Sequence, residues 1–169
     1  MRHLILTIAV YLAAVLQTSL IDGLRIGRLT PDLVALVAMV WVLTATRPGA
    51  FLVAGGIGLV GDLLGPGRIG LGMAGLLLAG YGIEQLKTRF FLEGLPARVA
   101  TVGVAVSLYA LALATGHVAL GTVEGPLWIL WARAAGVGLY TGAISLPVLM
   151  VVGWIHEPHR ARRQRLAEF

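Results

Sequence analysis

The sequence predicts an all-α integral membrane protein of about six transmembrane helices, and three observations carry that prediction. Of its 169 residues, 58% are hydrophobic and only 12% charged, against about 25% charged in an average soluble domain, and the mean hydropathy is +0.89. The charges are segregated into short connections, leaving apolar runs that approach the length of a bilayer core of roughly 30 Å. The basic residues also fall unevenly on the two sides of the predicted spans, as they do in multi-pass proteins. One bundle over residues 1–155 and a basic cytoplasmic tail over 156–169 account for the whole chain.

The first run, Leu4 to Ile21, follows Met1-Arg2-His3 in the manner of a secretory signal. It continues without an Ala-x-Ala site and polar sequence beyond it, which predicts a retained helix. The next two runs, Asp32 to Thr46 and Ala50 to Leu64, are only about 15 residues each, short for independent spans, which take about 17–25 residues. Arg47-Pro48-Gly49 between them is a turn signal and predicts a tight helical hairpin. Leu71 to Leu86, Val99 to Gly121 and Trp128 to Ile155 complete the six. Irregular backbone cannot face hydrocarbon, so the turns at Gly65-Pro66-Gly67 and from Gly121 to Pro126 mark helix ends at an interface or under protein.

With six spans, both termini share a side with the second-to-third and fourth-to-fifth connections. That side holds Arg2, Arg47, Lys87, Arg89, Arg98, Arg160, Arg162, Arg163 and Arg165, whereas the other holds Arg25, Arg28 and Arg68. The asymmetry predicts cytoplasmic termini. Arg133 sits inside the last run beside Trp128 and Trp131, whose rings favour the outer interface. The net charge of +5 is thereby explained by topology, and no nucleic-acid partner is expected.

Small residues one helical turn apart let helix backbones approach closely in lipid. Ala54/Gly58, Gly61/Gly65, Ala112/Gly116 and Gly138/Gly142 all have this spacing. They are expected to pack helices within the bundle, or to receive a partner's transmembrane helix.

Few residues carry charge near the spans, and each invites a role. Thr30-Pro31-Asp32 reads as a helix start, with a hydroxyl cap, a proline in the first turn and a carboxylate at the positive end of the dipole. Asp62 lies near the end of an apolar helix, where the dipole disfavours negative charge, so a compensating partner is expected. Arg28 or Arg68, on the same predicted outer face, are the candidates, and the cluster of Pro31, Asp32, Asp62, Arg28 and Arg68 is expected to hold a loop or partner. On the inner face, Lys87, Arg89, Phe90 and Phe91 join charge to aromatic rings. Anionic lipid is the simplest ligand for them and for the tail arginines.

Cysteine is absent, which removes thiolate chemistry and Cys-based metal sites. His3, His117, His156 and His159 lack ligand spacing, no serine or carboxylate pair resembles a nucleophile with its base, and Gly55-Gly56-Ile57-Gly58 lies within a hydrophobic run rather than in a phosphate-binding loop. No enzyme activity, cofactor or metal is expected.

The polar landmarks occur in a recognisable order: Pro31-Asp32-Leu33, Gly58-x-x-Gly61-Asp62-Leu63, Gly70-Leu71, Gly80-Tyr81 and Arg89-Phe90-Phe91. In this the chain resembles the rod shape-determining MreD family of bacterial membrane proteins, most strongly from Thr30 to Phe91. The family's motif positions fall on Pro31, Asp32, Gly61, Asp62, Gly80 and Tyr81. The compact charged first loop, Asp22 to Thr30, and the Gly-Pro-Gly turn before Arg68 depart from its pattern.

The resemblance implies a non-catalytic scaffold in the bacterial cytoplasmic (inner) membrane. Its expected direct partner is the bitopic protein MreC, with MreB, RodA and a class B penicillin-binding protein as complex members in peptidoglycan synthesis during elongation. It also implies a bundle similar to the substrate-binding subunits of energy-coupling-factor transporters. That likeness leaves a second function open, a vitamin-like small-molecule binding subunit whose interior candidates are Ser107, Tyr109, Tyr140, Thr141 and Ser145. In the scaffold reading, Gly58, Gly61, Gly80, Tyr81, Gly138 and Gly142 pack helices.

Overall fold

The computed structural model describes residues 2–19, 29–45, 48–64, 69–89, 94–121 and 126–167, and for 2–5, 64 and 154–167 the backbone alone. Six helices follow in chain order: α1 (Arg2–Ser19), α2 (Leu33–Thr44), α3 (Ala50–Leu64), α4 (Leu71–Arg89), α5 (Leu95–Ala119) and α6 (Leu127–Ala167). The fold is all-helical, with no strand among the described residues.

Two segments, Leu95–Ala119 and Leu127–Gly153, are long and apolar enough to cross a membrane. Only 22% and 28% of their apolar windows are buried, unlike the core helix of a soluble protein. Leu139 is 75% exposed and Trp128 70% exposed, so these helices present apolar side chains outward, as a membrane protein does. Leu6–Ser19, Leu33–Thr44 and Ala50–Leu63 are apolar but shorter.

The shortest helix is the centre of the molecule. At 12 residues, α2 is about 18 Å long, yet it contacts each of the other five helices. Ala38, Met39 and Val42 are fully buried, and around them pack Ala54 of α3, Leu76 and Ile83 of α4, and Val102 and Val106 of α5. A helix enclosed in this way has no need to be long enough to cross a membrane, as its neighbours α5 and α6 are.

The start of α2 differs in detail from the expected one. Asp32, not Thr30, is the N-cap: its backbone is extended, with φ −98° and ψ 94°, and its carboxylate accepts the Ala35 N–H. The carboxylate reaches the third residue of the helix, so Thr30 and Pro31 lie before it rather than in it.

Glycine allows the closest crossings. A Cβ on Gly58 of α3 would lie 2.6 Å from the Gly72 carbonyl oxygen of α4, and one on Gly142 of α6 would lie 3.0 Å from the Gly103 Cα of α5. A Cβ on Gly138 would overlap the Ser107 hydroxyl. Gly80 meets Phe51 and Ala54 at 3.2–3.4 Å, and its neighbour Tyr81 sits edge-on to Phe51, with centroids 5.6 Å apart. Five of the six expected packing residues therefore lie at the α3–α4 or α5–α6 contacts. Gly61 does not: a Cβ there meets nothing within 4 Å, because α3 turns that position away from its neighbours.

Two helices run past the apolar segments that predicted them: α4 to Arg89, and α6 to Ala167, through Pro158 and most of the basic tail.

Candidate functional site

Short helices within a bilayer-sized bundle face a specific difficulty. Each leaves four N–H groups and four carbonyls unpaired, and ends that stop below the membrane surface cannot rely on water. The charged residues of this chain answer that difficulty at both ends of the bundle.

At the end formed by the start of α2 and the close of α3, the donors of α2 are taken up by three elements. Asp32 caps Ala35 at 2.8 Å. The Gln17 side-chain oxygen on α1 accepts the Val34 N–H at 3.2 Å, and the Thr141 hydroxyl on α6 accepts the Asp32 N–H at 3.1 Å. Pro31 is buried just before them. The first and last helices of the chain are thereby fastened to the central one.

Asp62 lies at the same end because α2 and α3 are antiparallel neighbours. Its carboxylate accepts three backbone N–H groups, from Gly70 at 2.8 Å, Gly72 at 3.0 Å and Met73 at 3.1 Å. The carboxylate that looked misplaced at the end of α3 thus caps the beginning of α4, where the dipole and the unpaired donors both favour it. Gly70 has φ +106°, a conformation open to glycine, at the point where its N–H joins Asp62. A Cβ on Gly72 would overlap the carboxylate, so that position needs glycine too. Arg28 and Arg68, the partners expected from charge, lie outside the described residues.

At the opposite end, the last turns of α4 close the α2–α3 hairpin. The Lys87 ammonium donates to the Val42 carbonyl at 2.9 Å and the Ala45 carbonyl at 2.5 Å, at the negative end of α2. The Glu84 carboxylate accepts the Gly49 N–H at 2.8 Å, where α3 begins after a glycine with φ +85°. Its other oxygen is buried without a hydrogen-bond partner among the described residues. Lys87 lies beyond the apolar run that ends at Leu86. Burial pushes its ammonium below the usual lysine range, and the Glu84 charge opposes that shift.

Lys87 is therefore not the headgroup-facing charge that the cluster with Arg89, Phe90 and Phe91 suggested; it turns inward to α2. Arg89 is exposed, and Phe90 and Phe91 fall outside the described residues. Replacing Lys87 with methionine, which keeps the stem and removes the donor, is expected to cost about 1–2 kcal/mol. Thermal unfolding in detergent checks this, with the Tm falling for Lys87→Met and largely preserved for Lys87→Arg.

Sequence reading passed over Gln17 and Glu84. Glu84 left a signal, a lone carboxylate within an apolar helix, whereas Gln17 left none. Three of the interior hydroxyls named for a ligand pocket are engaged. Ser107 donates to the Gly103 carbonyl at 2.9 Å, Ser145 donates to the Gly142 carbonyl at 2.6 Å, and Thr141 holds the start of α2. The Tyr109 ring packs where a Cβ on Gly75 would stand, 2.8 Å from it. Among the described residues, no three His, Asp or Glu side chains gather as a metal site would require.

Compared with family models, curated proteins and solved structures, the chain matches none.

Proposed function

We propose that this protein is a multi-pass scaffold of the bacterial cytoplasmic membrane, with both termini inside. In this reading it binds MreC and helps position the peptidoglycan synthases of the elongation machinery, as its resemblance to the MreD family implies. The observation that carries the proposal is how the polar groups are used. Asp32, Asp62, Glu84, Lys87, Gln17 and Thr141 are each committed to a helix end of the chain itself. The protein then offers other molecules its apolar outer faces.

One such face lies between α1 and α3, lined by Leu6, Val10, Tyr11, Gly56, Ile57 and Val60. A Cβ on Gly56 meets nothing within 4 Å, which leaves room for another helix's backbone to approach, the contact favoured between helices in lipid. A single transmembrane helix such as that of MreC suits this place. Gly56→Leu should fill the groove without disturbing the fold, and is expected to reduce MreC recovered by affinity copurification at least about tenfold, an order given by ~1.4 kcal/mol of lost packing. Full recovery with Gly56→Leu would remove the groove from the account.

The alternative, a small-molecule binding subunit of a transporter, requires convergent polar groups in a pocket. Of the groups that would serve, Thr141 is instead committed to the start of α2, and Ser107 and Ser145 to carbonyls of their own helices.

A further inference from the structure

Helix α6 is 41 residues long, about 61 Å at 1.5 Å per residue. Trp128, 70% exposed, opens it at the interfacial level that tryptophan prefers. Trp154 comes 26 residues later, about 39 Å along the axis, close to the roughly 40–45 Å between the outer limits of the headgroups. The helix therefore reaches the second interface near Trp154, and goes on to Ala167.

Beyond Trp154 the chain is basic, with Arg160, Arg162, Arg163 and Arg165 against Glu157 and Glu168. On a straight helix along the membrane normal these arginines would stand about 9–16 Å beyond that level. That is past the Debye length of about 8 Å, so the pull of an anionic surface falls to about a third or less of its value at contact. Pro158 lies between Trp154 and the arginines. A proline inside a helix cannot donate to the carbonyl four residues earlier, here Trp154, and its ring displaces that carbonyl, so the helix bends there at small cost. The bend point coincides with the emergence of the helix from the bilayer.

We propose that residues 158–167 are an anionic-lipid-responsive arm. The helix bends at Pro158 and brings its arginine-bearing turns down to the leaflet when that leaflet carries anionic phospholipid, and it stands away from a neutral one. Each arginine near the surface contributes about fivefold to the lipid-bound population. The inference rests on α6 crossing the bilayer and stands whether or not MreC binds.

The chain contains no cysteine, so a single Ala161→Cys substitution in the full-length protein carries a unique spin label. The labelled protein is reconstituted in nanodiscs of phosphatidylcholine, with or without phosphatidylglycerol, and label depth is read from relaxation by oxygen against aqueous nickel. Headgroup depth with phosphatidylglycerol and water without it is the expected result, with return to water in 1 M salt or when all four arginines become glutamine. Pro158→Ala should also shift the label toward water in the anionic discs. A label equally deep in both lipids, or one still held at the anionic surface without its arginines, overturns the proposal. A label in water under every condition also overturns it, and assigns the arginines to a soluble acidic partner instead.

Discussion

Replacing Asp62 with alanine is expected to destabilise the protein by about 2–3 kcal/mol, the cost of removing a cap that accepts charge-assisted hydrogen bonds. Three N–H groups at the start of α4 lose their acceptor together, and water is poorly placed to replace it. The loss should appear as a lower Tm in detergent and as faster hydrogen exchange at Gly70, Gly72 and Met73. Asp62→Asn keeps an acceptor oxygen and loses the charge, so about half the stability should remain. The pair of variants separates two accounts of this residue. Were an arginine its main partner, asparagine would be nearly as harmful as alanine, because charge would be the whole of the interaction. If both variants are as stable as the parent, neither account holds.

The second large effect is expected at the crossing of α5 and α6. A Cβ at Gly138 would fall on the Ser107 hydroxyl and lie 2.7 Å from the Ser107 backbone nitrogen. The side chain can move aside, but the backbone cannot unless the helices separate. Overpacking of this kind costs about 1–3 kcal/mol, and more where backbone must shift, so Gly138→Val should lie at or above the top of that range. Gly58→Val should act likewise on α3 and α4, where the obstacle is the Gly72 carbonyl. Gly61→Ala and Gly153→Ala have open space at the Cβ position, and each should leave the Tm close to the parent's. Thermal unfolding of the four variants in one detergent checks the contrast, and equal Tm values would show that these crossings are not tightly packed.

These two cases also show what can be read from residue letters in such a chain. Helical architecture followed from composition, since hydrocarbon tolerates little else, and the Gly138/Gly142 spacing marked a close crossing. The letters do not say which helix is crossed. Gly58 and Gly61 look alike in sequence, yet one touches a neighbouring carbonyl and the other faces open space.

Asp62 was legible as a residue in need of a partner, and an arginine was the natural choice because side-chain charges are visible in a sequence. Its partners among the described residues are backbone N–H groups, which every residue but proline carries and no letter announces. Lys87 misled in the opposite sense. A lysine beside a cytoplasmic boundary reads as a headgroup contact, but the end of α2 lies within its reach, and the packing of α4 along α2 is a tertiary fact.

The central claim is that the polar residues serve the bundle's own helix ends, and that the protein acts by binding another membrane protein rather than a small molecule. Native mass spectrometry of the protein coexpressed with MreC and released from nanodiscs addresses it directly. A complex of the two chains at fixed stoichiometry, with no additional small-molecule mass on the protein, is the predicted spectrum. Folded, separate chains that never associate, or a stoichiometric small ligand carried by the protein alone, would contradict it.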